Sequence, residues 1–225
     1  MDIQIRHSPS FAVARCTLSR GERVRAESGS MMATSAGVEV DAKMEGGVMK
    51  SLKRGVLGGE SLFITSFTAP SDGGWVDVAA HLPGDLVVQE VTPDRAFFIQ
   101  RGSYLCSEDG VEIDTKWGGF RNLVGGEGGF VIRAGGSGTV LLSAYGATDR
   151  ISLAPGETIV VDSGHMVAYD ETVQSNLRRV SSTMKSLKSG EGFVFEFTGP
   201  GDVMVQSRNP GALLSWISTG IGARS

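Results

Sequence analysis

Short apolar segments separated by turns run along the whole chain. Hydrophobic and polar positions alternate in RVRAES (23–28) and FVFEF (193–197), and this two-residue period is that of a β-strand with one buried face. FFIQ (97–100) and TIVV (158–161) are apolar at almost every position, so we expect both faces of these two strands to be buried. Glycine makes up 32 of the 225 residues and is spread between the apolar segments, which is typical of many tight turns. The pattern predicts an all-β protein.

One strand-rich unit occurs three times. GVEVDAK (37–43) and GVEIDTK (110–116) share five of seven residues, and SGSMMA (28–33) matches RGSYLC (101–106) at the same separation of 73 residues. SGHMVA (163–168) belongs to a third, weaker copy. A glycine that could take a positive φ stands in the matching turn of each copy: Gly29, Gly102 and Gly164. Because one unit would leave an apolar sheet face uncovered, we expect the three units to cover one another around a pseudo-threefold axis, in sandwich-like or barrel-like sheets with short helical connectors.

The repeat divides the chain into one β domain and a short tail. We expect a single domain over residues 1–218, with repeats at about 19–91, 92–153 and 154–210, and an apolar C-terminal tail at 211–225. The tail is too short to span a membrane. It could touch a membrane surface, but covering a sheet edge or joining an oligomer contact is the favoured interpretation.

Composition narrows the class of protein. A net charge of −4 with 40% hydrophobic and 20% charged residues is ordinary for a folded globular protein and argues against a globally basic nucleic-acid binder. The N-terminus does not have the pattern of a secretory signal, and we find no transmembrane segment, so we expect a cytoplasmic protein. Cys16 and Cys106 are too few for a disulfide framework and lie in apolar segments, which predicts two buried, reduced thiols.

Three basic segments, here called the basic connectors, interrupt the strand pattern, and each ends on a Gly-Glu step. They are KMEGGVMKSLKRGVLGGE (43–60), KWGGFRNLVGGE (116–127) and SNLRRVSSTMKSLKSGE (175–191). They hold ten of the 21 lysines and arginines, and a threefold arrangement would bring them near one end of the molecule. One hypothesis is a docking surface for an anionic partner such as lipid head groups, RNA or an acidic protein. The other is that they are solvated connectors whose charge serves solubility, which is the more usual role. The candidate docking residues are Lys50, Lys53, Arg54, Arg178, Arg179, Lys185 and Lys188.

The sequence contains no constellation that predicts catalysis. The histidines lack a second ligand at metal-binding spacing; they are His7, His81 and His165. Because a glutamate recurs once in every unit, we expect it to bind turn amides rather than to catalyse; the three are Glu60, Glu127 and Glu191. No nucleophile elbow, phosphate-binding loop or zinc-protease motif is present. We predict that the protein is not an enzyme and that it binds no metal and no cofactor. The sequence leaves one alternative, an active site formed between protomers.

Several of these segments resemble a known family. LKRGVLGGESLFITSF (52–67), the SGSMMA turn and the repeated GVE(V/I)D element are similar to the family of altered inheritance of mitochondria protein 24, over about residues 1–218. The resemblance implies a fold like that of the trp RNA-binding attenuation protein, with short-stranded β-sandwiches in a repeated arrangement. It also implies homo-oligomers, with a trimer favoured. Fungal mitochondrial members support inner-membrane organisation, but this chain lacks their targeting sequence, so only the fold is carried over. The family supplies no established catalytic residues.

Together these features predict a non-enzymatic, oligomeric β scaffold or adaptor that docks an anionic partner or membrane surface through its basic connectors. The alternative is a regulator that binds RNA or a small ligand, which rests on likeness of fold alone. A third possibility is an enzyme whose site forms between protomers.

Overall fold

The structure, a computed structural model, describes residues 1–44, 63–114, 131–179 and 193–222. These residues form nineteen β-strands and one α-helix. All strand pairs are antiparallel. The prediction of a β protein is therefore confirmed.

Strand β1 (Asp2–Arg6) precedes three consecutive sets of six strands. The first set contains β2 (Val13–Leu18), β3 (Arg23–Glu27), β4 (Met31–Thr34), β5 (Glu39–Met44), β6 (Phe63–Thr68) and β7 (Gly74–Ala79). The second set contains β8 (Leu86–Val91), β9 (Phe97–Gln100), β10 (Tyr104–Glu108), β11 (Val111–Asp114), β12 (Val131–Gly136) and β13 (Gly138–Ser143). The third set contains β14 (Thr148–Leu153), β15 (Thr158–Asp162), β16 (Met166–Asp170), β17 (Gln174–Arg179), β18 (Phe193–Thr198) and β19 (Gly201–Gln206).

The strands of each set pair by one scheme. The sixth strand lies between the first and the third, as in the order β2-β7-β4, and the fifth lies between the second and the fourth, as in β3-β6-β5. The second set gives β8-β13-β10 and β9-β12-β11, and the third gives β14-β19-β16 and β15-β18-β17. Each set therefore supplies two three-stranded half-sheets.

Neighbouring sets are joined by strand pairing. β3 pairs with β10, and β9 pairs with β16, so four of the half-sheets merge into two six-stranded inner sheets. The remaining two half-sheets stay separate. One forms the first outer sheet, β1-β2-β7-β4, and the other forms the last outer sheet, β15-β18-β17.

Three apolar clusters fill the spaces between successive sheets. Cys16 of the first outer sheet packs with Cys106 and Leu141 of the first inner sheet. A second cluster lies between the two inner sheets. In the third, the Tyr169 ring of the second inner sheet lies 4.9 Å from the Phe197 ring of the last outer sheet. The four sheets thus pack face to face in sequence, and both cysteines are buried as predicted.

The third strand of every set has an irregularity at the same place. The pairing register shifts between Met31 and Ala33 in β4, between Tyr104 and Cys106 in β10, and between Met166 and Ala168 in β16. A bulge of this kind bends the strand and strengthens its twist. The shared position lets the three strands be compared residue by residue.

The turn before this third strand differs from our expectation in two sets. Gly29 has φ +92°, a conformation that favours glycine, as predicted. Gly102 and Gly164 instead lie in single 3₁₀ turns without positive φ. At Gly164 the requirement is space, because a Cβ would lie 2.3 Å from the Asn209 side chain.

The apolar tail forms helix α1 (Pro210–Gly222). The Asn209 side chain caps it by accepting hydrogen bonds from the amides of Gly211, at 2.8 Å, and Ala212, at 3.3 Å. The side chains of Leu214, Trp216 and Ile217 are exposed, that of Trp216 most of all. Within the described residues no helix combines the length and apolar character needed to cross a membrane.

Candidate functional site

Two of the seven predicted docking residues lie within the described residues, both at the end of β17. The Arg178 Nε atom lies 3.3 Å from the Glu196 carboxylate, and both side chains are partly exposed. The backbone of Arg179 pairs with Phe193. The other five lie outside the described residues: Lys50, Lys53, Arg54, Lys185 and Lys188. The docking surface therefore stays a prediction.

The basic segments attach to the fold at one kind of place. Each connects the fourth strand of its set to the fifth, which are hairpin neighbours. The last backbone pairs before the three segments are Met44 with Phe63, Asp114 with Arg133, and Arg179 with Phe193. The three connectors therefore leave corresponding hairpins.

Two of the histidines, His165 and His81, lie close to polar groups of neighbouring segments. The His165 Nδ1 atom lies 2.7 Å from the backbone oxygen of Gln206. His81 Nδ1 lies 3.9 Å from the carboxylate of Glu27. Burial raises the pKa of Glu27, although the positive charges of His81 and Arg101 act to lower it. Across residues 1–44, 63–114, 131–179 and 193–222 no group of three ligands could hold a metal ion. The repeated glutamates lie outside these ranges: Glu60, Glu127 and Glu191.

An open groove of about 420 Å³ lies where the first two sets meet. Its carboxylates are already engaged. Glu22 and Glu108 both bind the Met1 amino group, and Glu108 also accepts a 2.7 Å hydrogen bond from the Thr139 amide. Asp109 lies 3.7 Å from the Arg25 guanidinium. These contacts hold strands together and present no nucleophile beside a base.

A buried carboxylate fastens the first outer sheet. Asp77 of β7 is only 2% exposed and accepts hydrogen bonds from Arg15 of β2, at 2.8 and 2.9 Å, and from Arg6 of β1, at 2.8 Å. These hydrogen bonds, that from Arg15 above all, lower the pKa of Asp77 despite its burial. The Arg15 guanidinium also stacks 3.8 Å from the centre of the Trp75 ring. The arrangement is a charged staple across three strands.

Among the described residues, exposed large apolar side chains lie on four strands that end a sheet, β4, β5, β8 and β15, at Phe11 before β2, and on helix α1. Met31 and Met32 of β4 are 43% and 55% exposed, and Val160 of β15 is 53% exposed. β4 ends the first outer sheet and β15 ends the last outer sheet. The prediction that TIVV is buried on both faces is therefore wrong for β15, although it is right for Phe97, Phe98 and Ile99 in β9.

The corresponding strands inside the molecule are fully covered. Tyr104 and Leu105 of β10 correspond to the two methionines by the shared bulge, and both are 0% exposed. Met166 and Val167 of β16 are equally buried. Both inner strands have a neighbouring set paired along their outer side, and β4 lacks one. The sequence did not predict the exposed apolar residues of β4 and β15, and its only related signal was the continuous apolar character of TIVV.

The fold defines a layered, antiparallel β protein whose exposed large apolar side chains, within the described residues, lie on strands that end a sheet, at Phe11 and on the terminal helix. The chain belongs to the mitochondrial biogenesis AIM24 family, whose model matches residues 3–208. This finding confirms the resemblance drawn from the LKRGVLGGESLFITSF and GVE(V/I)D segments.

Two Streptococcus pyogenes proteins are similar over almost their whole length. An uncharacterised protein of serotype M6 is 30% identical over 218 residues, which cover 93% of this chain and 86% of that protein. An X-ray crystal structure of a further Streptococcus pyogenes protein superposes with a TM-score of 0.79 at 26% identity, covering 97% of this chain and 98% of that one.

Proposed function

We propose that the protein is a non-enzymatic, self-assembling β scaffold or adaptor. In this proposal the three strand sets are three copies of one unit, related by a pseudo-threefold axis and built of short-stranded β-sandwiches like those of the trp RNA-binding attenuation protein. The shared pairing scheme and the shared bulge support the repeat. Self-assembly is supported by one observation above all, the exposure of apolar residues on β4 and β15. Exposed apolar groups on an unpaired sheet edge can take part in pairing with another strand.

The basic connectors are the proposed docking elements of this scaffold. They leave three corresponding hairpins, so a pseudo-threefold axis would gather them on one face. Assembly would multiply that face and raise its avidity for an extended anionic surface, even where one connector binds weakly. A cytoplasmic scaffold that meets anionic lipid head groups fits these features best.

The test is charge reversal on one connector. Lys53→Glu with Arg54→Glu removes two cations, and each cation near an anionic membrane contributes about 1 kcal/mol, so the affinity for vesicles should fall about thirtyfold or more. Arg20→Glu with Arg208→Glu is the matched control, because it changes the net charge equally on exposed residues outside the connectors. Binding is measured by co-sedimentation with vesicles that contain phosphatidylserine, and both variants should melt at the wild-type temperature.

The same measurement separates the alternative function. If the wild type does not bind vesicles but binds single-stranded RNA with an affinity that falls steeply as the salt concentration rises, the chain is an RNA-binding regulator instead. If the connector variant binds vesicles as tightly as the control, the docking role is wrong.

A further inference from the structure

Each basic connector returns to the fold beside the end of the second strand of its set. The connector ends shortly before the fifth strand begins, and the start of the fifth strand pairs with the end of the second. The backbone pairs at this place are Glu27 with Ile64, Gln100 with Val131, and Asp162 with Val194. We call this place the connector end of the set.

Pairing between the sets holds the three connector ends side by side. Each third strand starts directly after the turn that follows the second strand, so it also starts at the connector end of its own set. The start of β10 lies beside the end of β3, where Cys106 pairs with Ala26. The start of β16 lies beside the end of β9, where Ala168 pairs with Ile99. The three basic connectors therefore attach at the same end of the molecule.

Helix α1 starts at this end as well. The Asn209 side chain, which caps the helix, donates a 3.2 Å hydrogen bond to the Asp162 carboxylate at the end of β15. Gln206, the last residue of β19, donates a 2.9 Å hydrogen bond from its side chain to the Gly164 carbonyl in the adjoining turn. These bonds fix the first turn of α1 beside the place where the third connector returns.

The helix has one apolar face and one uncharged polar face. Its large apolar residues recur three and four residues apart and share one face. They are Leu213, Leu214, Trp216 and Ile217. On the other face, Ser218 and Thr219 donate 2.8 Å hydrogen bonds to the carbonyls of Leu214 and Ser215. The helix thus contains no charge, and these two hydroxyl groups need no water.

Lipid is the partner that this helix fits. The apolar side chains do not cover a sheet edge of their own chain, since Trp216 is 74% exposed. A tryptophan ring suits the membrane interface because its body is apolar and its N–H group is polar. The 13 residues of α1 extend about 20 Å, which is less than the thickness of a bilayer core, so the helix would lie along the surface. The neighbouring basic connectors would attract anionic head groups to the same place.

We propose that helix α1 lies in the head-group region of an anionic bilayer, with Leu214, Trp216 and Ile217 inserted among the acyl chains. This inference rests on the docking function put forward above and adds an apolar contact to it. The affinity of such a surface for membranes combines the buried apolar area with the attraction of its cations for anionic lipid. Because α1 is uncharged, salt should weaken the contribution of the connectors and leave that of the helix in place.

Co-sedimentation with vesicles of equal parts phosphatidylcholine and phosphatidylserine measures the contribution of the helix. Leu214→Gln puts a polar residue that favours helices on the inserted face. It should weaken vesicle binding about tenfold or more, the factor expected for burial of one leucine side chain. Val40→Gln is the matched control and should bind like the wild type. The exposures are similar, 64% for Leu214 and 54% for Val40, and Val40 pairs with Phe67, away from the connector end of its set.

Tryptophan fluorescence tests insertion directly. Trp117 belongs to the second basic connector, so it is replaced by phenylalanine in every protein compared. Addition of the same vesicles should move the emission of the protein that keeps Trp216 to shorter wavelengths. Trp216→Phe should abolish this shift and still bind vesicles, because phenylalanine is also apolar.

The outcomes separate this inference from the docking role of the connectors. Leu214→Gln that binds as tightly as Val40→Gln, or bound protein without a Trp216 shift, would overturn the inference alone. Trp216 emission that is already at short wavelength and is unmoved by vesicles would show that a protein surface, such as a second copy, covers the helix, and would also overturn it. If Lys53→Glu with Arg54→Glu binds like the wild type while Leu214→Gln does not, the helix contact stands and the connector role is wrong. A wild type that does not bind these vesicles overturns both.

Discussion

The staple at Asp77 gives the sharpest prediction of stability. Its carboxylate accepts three hydrogen bonds from two guanidinium groups and ties β1, β2 and β7 together. Asp77→Asn keeps the size of the side chain but removes its charge and one acceptor oxygen. Arg6 and Arg15 then lose their partner while they remain packed against the sheet.

The expected loss follows from the exposure of the three groups. Removing one member of a buried ion pair costs about 3–5 kcal/mol. Arg6 and Arg15 are 33% and 32% exposed, so water takes over part of the lost bonding. We therefore expect the free energy of unfolding to fall by about 2 kcal/mol, which corresponds to a melting temperature about 4–8 °C lower for a chain of this size.

The pH dependence supplies an independent check. Because the pKa of Asp77 is lower in the folded state than in the unfolded state, the staple stabilises fully above the unfolded value, roughly 3.9. The stabilisation is lost as the pH falls through the lowered folded value. The gap between wild type and variant should thus be constant from pH 7 to about pH 5 and narrow below about pH 4.

Urea unfolding, followed by circular dichroism at one protein concentration, measures this gap. Asp72→Asn, in the exposed turn before β7, is the matched control and should leave the midpoint unchanged. A loss below about 1 kcal/mol would mean that the staple is already solvated. A gap that widens on acidification would contradict the lowered pKa.

Three further predictions concern buried groups. Burial raises the pKa of Tyr169 to about 12. Absorbance at 295 nm should therefore show a tyrosine titration step near that pH, and Tyr169→Phe should abolish the step. The free energy of unfolding should fall as the pH rises above about 10, because there the tyrosine ionises only in the unfolded state. The Sγ atoms of Cys16 and Cys106 lie 3.9 Å apart. The hydrogen bond between them, together with burial, raises the pKa of the Cys106 thiol. Ellman's reagent should therefore detect no thiol in the native protein and two thiols in guanidinium chloride. Tyr104→Phe should lower the free energy of unfolding, measured by urea titration, by about 1–2 kcal/mol. The tyrosine hydroxyl forms a hydrogen bond with Ser107 at 2.9 Å and donates one to the Arg25 carbonyl at 3.2 Å. An unchanged urea midpoint would show that neither hydrogen bond contributes to stability.

The strand pattern of this protein could be predicted because it is local. RVRAES alternates in the sequence, and β3 alternates between buried and partly exposed residues in the structure. The first three side chains of FFIQ, Phe97, Phe98 and Ile99, are buried because β9 lies inside a sheet and between two layers. In each case the side chains of the segment themselves record the environment.

What could not be predicted depends on neighbours along the sheet edge. TIVV has the same apolar character as FFIQ, but β15 has no strand on its outer side, so Val160 is exposed. The sequence matches between the copies also do not show at which strand one structural unit ends and the next begins. The paired strand sets span 13–79, 86–143 and 148–206, and each begins one strand earlier than the repeats expected from the matching motifs. Five of the seven candidate docking residues lie outside the described residues, so the docking role of the basic connectors stays a prediction.

The pairing of the first strand of each set with the last has a consequence during synthesis. Val13 of β2 finds its partner, Ala79 of β7, only 66 residues later in the chain. At about 5–20 residues per second on the ribosome, β2 waits about 3–13 s for its neighbour. β14 waits almost as long for β19, since Thr148 pairs with Gln206. The half-sheet formed by the third, sixth and first strands of each set is therefore completed only when the sixth strand emerges from the ribosome.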